Sequence, residues 1–164
     1  MYYELTDHFI VRADVDATWR FFSDARNLPR ITPPWLDFTV DTPGDVTLGQ
    51  DALIEYTIRW LGVGLKWKTR IIDWTPPRQF IDLQIKGPYA LWHHQHTYAP
   101  SDEGTVCTDR VIYKLPGWLI GRATHAAVVR KQLLEIFRYR RDFTGRELGW
   151  VRGMQQDVGI RPLW

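Results

Sequence analysis

The chain has 164 residues, a formal net charge of +2 at pH 7 and 45% hydrophobic residues, which predicts one globular domain rather than a disordered or fibrous chain. The charge is too small for the concentrated basic face of a nucleic-acid-binding protein, and no apolar run approaches the roughly 20 residues of a membrane span. The single cysteine excludes an internal disulfide and the N-terminus has no signal pattern, so we expect a cytoplasmic protein without stable membrane insertion.

The start of the chain predicts one strand and one or two short helices. Residues 2–12 alternate loosely between polar and apolar types, as a strand does, and Asp14 or Asp16 then offers an N-cap for a short helix. Three prolines in the segment 27–35 interrupt that helix, because proline removes a backbone donor and biases the preceding residue away from helical angles. A second helical turn fits before Pro33.

From Phe38 to Tyr113 the sequence predicts a meander of about six antiparallel strands. Short strand patterns are separated there by the turn segments TPGD, LGVG, TPPR, KGP and SDEG. The glycines of LGVG belong to a hairpin turn rather than to a phosphate-binding loop.

The period changes after Gly117 and predicts a long amphipathic helix that ends near Gly149. The run Arg138–Arg141 spreads its charges around this helix and is interpreted as solvated surface. Residues 150–164 show no clear period and are predicted to form a C-terminal tail that docks on the body or on a partner. The apolar positions that recur at helical spacing are Ala126, Val129, Leu133 and Phe137.

This order of elements resembles the START-like, or SRPBCC, helix-grip superfamily. The segments FIDLQIKGPYALWHHQHTY, GTVCTDRVIYKLPG and IFRYRRDFTGREL resemble a bacterial branch of ligand-binding SRPBCC proteins related to polyketide cyclases and dehydratases. The resemblance covers residues 1–149 as one domain and leaves 150–164 outside it. It implies an α+β fold in which a curved antiparallel sheet of about seven strands wraps around a long C-terminal helix. Such a sheet leaves space for a ligand, because one helix cannot fill its concave face.

The stretch GPYALWHHQHTY holds three of the five histidines. Alternate residues of a strand share a face, so Trp92, His94, His96 and Tyr98 point one way and His93 points the other. Burial of the two large aromatic residues favours His94 and His96 facing the interior.

A register for this strand follows if the SDEG turn brings Tyr98 opposite Thr105. His94 then lies opposite Asp109, and His96 lies opposite Cys107; a slip of one residue would replace Asp109 by Arg110. On the preceding strand, Phe80, Asp82 and Gln84 lie beside His96, His94 and Trp92. The expected result is a polar row of Asp82, His94 and Asp109.

The pattern of that preceding strand points the other way. Ile81, Leu83 and Ile85 form its apolar face, and patterning alone directs that face towards the cavity. Asp82 and Gln84 would then lie in water, and the sequence leaves the choice open.

The histidines allow three interpretations. Each imidazole can simply hydrogen-bond a neighbouring polar group. One of His94 and His96, poised by Asp109, can act as a general acid or base, as a cyclase or dehydratase requires. A metal site would use both histidines and a carboxylate such as Asp109, but no second histidine pair supports it, so we predict no metal and no other cofactor.

We therefore expect a protein that binds a small apolar or aromatic ligand, of lipid, polyketide or quinone type. The alternatives are a cyclase or dehydratase-type enzyme and a protein-interaction module that uses the tail. No nucleophile elbow, phosphate loop or dinucleotide fingerprint is present, and the sequence does not define the oligomeric state. The predicted ligand-binding residues are Tyr56, Trp67, Phe80, Trp92, His94, His96, Tyr98, Asp109, Leu133 and Phe137, and strand alternation adds Ile58, Trp60, Leu65 and Thr69 to the same wall.

Overall fold

A computed structural model describes residues 1–44, 46–60, 62–117, 128–151 and 157–163. Short 3-10 turns at Ala25–Asn27 and Pro34–Leu36 complete the helical segments near the N-terminus. The strands and α-helices, in chain order, are β1 (Tyr3–Val11), α1 (Val15–Phe22), β2 (Thr39–Val40), β3 (Leu53–Trp60), β4 (Val63–Thr75), β5 (Gln79–Lys86), β6 (Leu91–Ser101), β7 (Gly104–Lys114), α2 (Arg130–Leu148) and β8 (Asp157–Pro162).

The described strands form one antiparallel sheet in the order β2-β3-β4-β5-β6-β7-β1-β8. The sheet curves around α2, which is the helix-grip arrangement that the sequence predicts. The predicted meander is confirmed as β2 to β7, in which each strand pairs with the next along the chain. Strand β1 closes the meander by pairing with β7.

Local sequence explains the start of the fold. Asp14 caps α1 by accepting a hydrogen bond of 2.7 Å from the Ala17 backbone N–H, which satisfies one of the unpaired donors of the first turn. The prolines that follow limit the next helical segments to single 3-10 turns, the second of which begins at Pro34.

The last described segment docks on the body, which is one of the two alternatives predicted for the tail, and it does so as a strand. Residues predicted as a tail include β8, which pairs with β1 from His8↔Asp157 to Tyr3↔Pro162. Glu4 of β1 accepts hydrogen bonds from Arg110 of β7 and Arg161 of β8, so a buried carboxylate ties three adjacent strands together. The described sheet consequently has eight strands. Ala126, one of the apolar positions at helical spacing, lies outside the described residues.

Two apolar clusters fill the interior. One gathers α1, the prolyl segment and the distal ends of the strands around Phe9, Trp19, Phe80 and Tyr98. The other lies under α2 and includes Trp67 and Trp92. Among the described helices, none combines the length and the apolar character needed to cross a membrane.

Candidate functional site

A cavity of about 200 Å³ lies between the concave face of the sheet and α2. Most of its wall is aromatic or aliphatic. The structure places twelve of the fourteen residues that strand and helix periodicity assigned to the cavity in its lining: Tyr56, Ile58, Trp60, Leu65, Trp67, Thr69, Phe80, Trp92, His94, His96, Leu133 and Phe137.

The predicted residues Tyr98 and Asp109 do not line the cavity. Tyr98 is buried in the first apolar cluster, where its ring stacks on Phe22 with the centroids 5.1 Å apart. Asp109 is buried behind the two histidines. Both face the interior as expected, but other side chains separate them from the open space.

The predicted register of the β6–β7 hairpin is wrong by two residues. The strands pair to Ser101↔Gly104, so only Asp102 and Glu103 form the loop, and Tyr98 pairs with Cys107 instead of Thr105. A shift of one residue at the turn moves the register by two positions and preserves the face of every side chain. His96, rather than His94, therefore lies directly opposite Asp109.

The structure shows which face of strand β5 points towards the cavity, a choice that the sequence left open. Phe80 pairs with His96 and Asp82 pairs with His94, as predicted, and both residues of β5 line the cavity. Ile85 is 53% exposed on the opposite face. Patterning alone fails here because the inward position at Asp82 is polar. Gln84 does not reach Trp92 in a described pair; its amide instead binds the Tyr89 backbone.

Ionisable residues cross the interior between the two apolar clusters. We call this set the polar belt; its sheet residues are Asp7 of β1, Asp109 of β7, His94 and His96 of β6 and Asp82 of β5. Outside the belt itself, the residues two positions away along each strand, such as Phe9 and Leu5 around Asp7, belong to the apolar clusters, with Gln84 as the exception. Burying this many charges costs free energy unless they pair, so the belt is a candidate for function rather than for stability.

The histidines of the polar belt sit between the two carboxylates. His94 Nε2 donates to Asp109 Oδ1 at 2.9 Å, and its Nδ1 lies 3.5 Å from Asp82 Oδ2. His96 Nε2 donates to Asp82 Oδ2 at 2.8 Å, and its Nδ1 lies 2.7 Å from Asp109 Oδ1. The ring centroids of the two histidines are 3.7 Å apart. Phe80 stacks on His96 at 4.1 Å, which fixes the plane of that imidazole.

Helix α2 completes the polar belt with two arginines that were interpreted as solvated surface. The side chains of Arg140 and Arg141 are only 13% and 12% exposed. Arg140 Nε lies 3.7 Å from Asp109 Oδ2, and Arg141 donates to Asp7 Oδ1 at 3.1 Å. Both residues follow Phe137 at helical spacing, three and four positions later, so the apolar stripe of α2 was the signal that could have located them.

Burial and pairing separate the pKa values of the two histidines. Desolvation, assisted by the neighbouring His96, lowers the pKa of His94 to about 4, so His94 is neutral at pH 7. Desolvation also opposes the charging of His96, but the carboxylates of Asp109 and Asp82 outweigh it and raise the His96 pKa.

The carboxylates of Asp109 and Asp82 remain ionised. Burial acts to raise the pKa of Asp109, but Arg140 and the histidines outweigh it and hold the pKa well below the usual range. The pKa of Asp82 is lowered in the same way, with burial opposed by His94 and His96. The arrangement can therefore hold or transfer a proton at the cavity wall, and its side chains include a group of metal-ligating types, Asp82, His94 and His96.

Comparison with solved structures supports the fold. A START superfamily protein from Mycobacterium smegmatis matches with a TM-score of 0.67 at 11% identity, covering 89% of this chain and 97% of that one. The major latex-like protein 151 of Panax ginseng matches with a TM-score of 0.64 at 11% identity, covering 90% and 98%.

The di-domain ARO/CYC StfQ of the steffimycin biosynthetic pathway matches with a TM-score of 0.64 at 13% identity. The match covers 91% of this chain but only 53% of StfQ, so the chain spans about half of that protein. A comparison with curated protein sequences gives no match.

The model of one protein family, described as polyketide cyclase / dehydrase and lipid transport, matches residues 11–148. That range runs from the end of β1 to the end of α2 and includes the whole lining of the cavity described above. The chain belongs to the polyketide cyclase / dehydrase and lipid transport family.

Proposed function

We propose that the protein binds a small aromatic ligand with one polar end in the cavity between the sheet and α2. The observation that carries this proposal is the asymmetry of the cavity: its ionisable side chains are Asp82, His94, His96 and Arg140 of the polar belt. The rest of the described wall is aromatic or aliphatic apart from Thr32, Thr69 and Gln132. An apolar ring would bury its surface against Trp67 and Trp92, and a hydroxyl or carbonyl group would reach the polar belt.

The size of the cavity supports a ligand of one or two rings. An apolar cavity of about 150 Å³ is large enough to hold benzene. The space of about 200 Å³ in this protein thus favours a compact aromatic molecule over a long acyl chain or a four-ring polyketide.

Isothermal titration calorimetry with 2-naphthol tests the proposal. We expect one binding site, with palmitate failing to compete. Ile58→Trp places a large ring in the cavity wall and is expected to weaken binding at least tenfold. Ile72→Trp is the matched control, because Ile72 is exposed on β4, and should leave binding unchanged. Equal loss in both variants, or no binding in the unmodified protein, would refute the proposal.

A second candidate function, an acid-base enzyme of cyclase or dehydratase type, is favoured by one contact. His94 lines the cavity and donates to the buried carboxylate of Asp109, which orients the ring with its other nitrogen towards Asp82. A base held in this way can remove a proton from a carbon next to a carbonyl group.

Exchange of the α-protons of 2-tetralone in D₂O, followed by ¹H NMR in the presence of EDTA, separates the two functions. If the protein is an enzyme, it accelerates the exchange, and the rate with His94→Gln is at least about 100-fold lower than with the unmodified protein, which is the usual contribution of a general base. His93→Gln, on the outward face of the same strand, is the control. A protein that binds 2-tetralone without accelerating the exchange is a binding protein only.

A further inference from the structure

We propose that Asp82, His94 and His96 form a binding site for a divalent transition-metal ion at the cavity wall. The ligating atoms are Asp82 Oδ2, His94 Nδ1 and His96 Nε2. This inference goes beyond the proposed function, because binding of an aromatic ligand requires no metal. It also differs from the sequence-based expectation of no metal, and the carboxylate that joins the histidines is Asp82 instead of Asp109.

The spacing of the three atoms suits one ion. Asp82 Oδ2 lies 2.8 Å from His96 Nε2 and 3.5 Å from His94 Nδ1, and the ligand atoms of the group all lie within 4.8 Å of one another. Ligands bound at about 2.1 Å are separated by about 3.0 Å at right angles and about 3.4 Å at the tetrahedral angle. The two short separations agree with these values. An ion would replace the proton through which His96 Nε2 binds Asp82.

The other nitrogen of each histidine has the partner that metal-bound imidazoles usually have. His94 Nε2 donates to Asp109 Oδ1 at 2.9 Å, and His96 Nδ1 lies 2.7 Å from the same oxygen. A carboxylate behind a ligating histidine fixes the ring and raises its basicity. Arg140 lies beside both groups: its buried Nε, which has no hydrogen-bond partner, is 3.7 Å from Asp109 Oδ2, and its Nη2 is 3.3 Å from His96 Nδ1. This arrangement accounts for a buried Asp109 that does not reach the cavity.

The open side of the site faces the ligand space. Asp82, His94 and His96 all line the cavity, whereas Asp109 does not. A site with three protein ligands and an accessible fourth position is the catalytic type rather than the closed structural type. Two imidazoles and one carboxylate favour ions such as Zn²⁺ or Fe²⁺ over Mg²⁺ and Ca²⁺, which prefer oxygen ligands.

Charge indicates which ligand atom would occupy the open position. One carboxylate leaves a divalent ion with a net positive charge, and Asp109 is already balanced by Arg140. An anionic oxygen, such as a phenolate, an enolate or hydroxide, would neutralise the remaining charge. The aromatic ligand proposed above would thus bind the ion through its deprotonated oxygen.

The test uses the untagged full chain after dialysis against EDTA. Calorimetry with Zn²⁺ is expected to show one equivalent bound with micromolar affinity or tighter. Asp82→Asn and His96→Gln should weaken binding at least 100-fold, and Asp109→Asn should weaken it about 10- to 100-fold, as is usual for a residue that orients a ligand. His93→Gln, a neighbouring histidine on the opposite face of β6, should bind Zn²⁺ as the unmodified chain does.

A second measurement uses the unmodified chain and therefore does not depend on the folding of any variant. Co²⁺ bound to the unmodified chain should give visible d–d absorption and shift the ring protons of two histidines in the NMR spectrum. Binding of less than one equivalent, shifts from one histidine or none, or unchanged affinity in a folded Asp82→Asn protein would overturn the proposal. Titration of 2-naphthol into the EDTA-treated chain tests the proposed function separately, because the apolar wall remains without the ion.

Discussion

Asp7 is a residue whose burial is not fully compensated. Its side chain is almost inaccessible, it lies directly opposite Asp109 in the sheet, and its Oδ2 has no hydrogen-bond partner. Arg141 donates to the other oxygen, and Arg140 also faces the pair from α2. Burial and the charge of Asp109 outweigh both arginines and raise the pKa of Asp7 to about 7.

This pKa makes the stability of the protein depend on pH. Between about pH 4 and pH 7 the unfolded chain loses the proton of Asp7 while the folded chain keeps it, so the free energy of unfolding falls by up to about 1.4 kcal/mol for each pH unit. Asp7→Asn removes this contribution. Urea unfolding at pH 5 and pH 8 should show the variant gaining stability relative to the unmodified chain as pH rises. A difference that is constant with pH, or one of opposite sign, would contradict the raised pKa.

The sequence predicts which residues of the polar belt face inward better than it predicts their partners. Strand alternation places His94 and His96 on the face of Trp92 correctly, since that result requires only a period of two. The residue that pairs with Asp109 depends on the position of the β6–β7 hairpin loop. An error of one residue in that position made the prediction pair Asp109 with His94, whereas it pairs with His96. Asp82 was ambiguous because a buried carboxylate breaks the apolar pattern that normally identifies the inner face of a strand.

At the scale of the elements, a glycine in α2 leaves room for a side chain from the segment that follows the helix. Gly145 is buried near the C-terminal end of the helix, and the indole ring of Trp150 occupies the place where a side chain at position 145 would begin. Alanine normally stabilises a helix interior by about 1 kcal/mol relative to glycine. The contact with Trp150 should reverse that sign.

Gly145→Ala is therefore expected to lower the thermal midpoint, because the indole must leave its position against α2. Trp150→Ala supplies the matched background. In that background Gly145→Ala should raise the midpoint, since only the helix preference remains. Thermal unfolding followed by circular dichroism for the four proteins measures the coupling. Equal effects of Gly145→Ala in both backgrounds would show that the contact has no energetic role.

The elements that the sequence predicted well are those with a sustained period. The meander and α2 repeat their patterns over many residues, whereas β8 has only six residues and follows a segment without a period. Its place beside β1 depends on tertiary contacts, including the ion pair between Glu4 and Arg161. Such a short edge strand is not specified by its own pattern. The inward positions of Arg140 and Arg141 on α2 were not predicted, because their charge was interpreted as a sign of solvent exposure.

At the scale of the whole molecule, the cavity connects the two apolar clusters across the polar belt. A ligand there would contact β3 to β6 on one side and α2 on the other. Ligand that binds only the folded state stabilises it by about 2.7 kcal/mol at a concentration of 100 times Kd. For a chain of this length, each kcal/mol raises the thermal midpoint by about 2 to 4 °C. Occupancy of the cavity should therefore be visible as a shift in global stability.

A series of hydroxylated aromatic molecules of increasing size uses this shift to measure the space available. At a concentration of 100 times Kd, phenol and 2-naphthol should each raise the thermal midpoint by about 5 to 11 °C, the product of the two values above. The four rings of 1-hydroxypyrene exceed a cavity of about 200 Å³ and should give no shift. In Ile58→Trp the thermal shift with 2-naphthol should be lost while part of the shift with phenol remains, because the added ring occupies part of the cavity and leaves room only for the smaller ligand. A shift with 1-hydroxypyrene as large as that with phenol would mean that the sheet and α2 separate to admit the ligand, and that the cavity does not select by size.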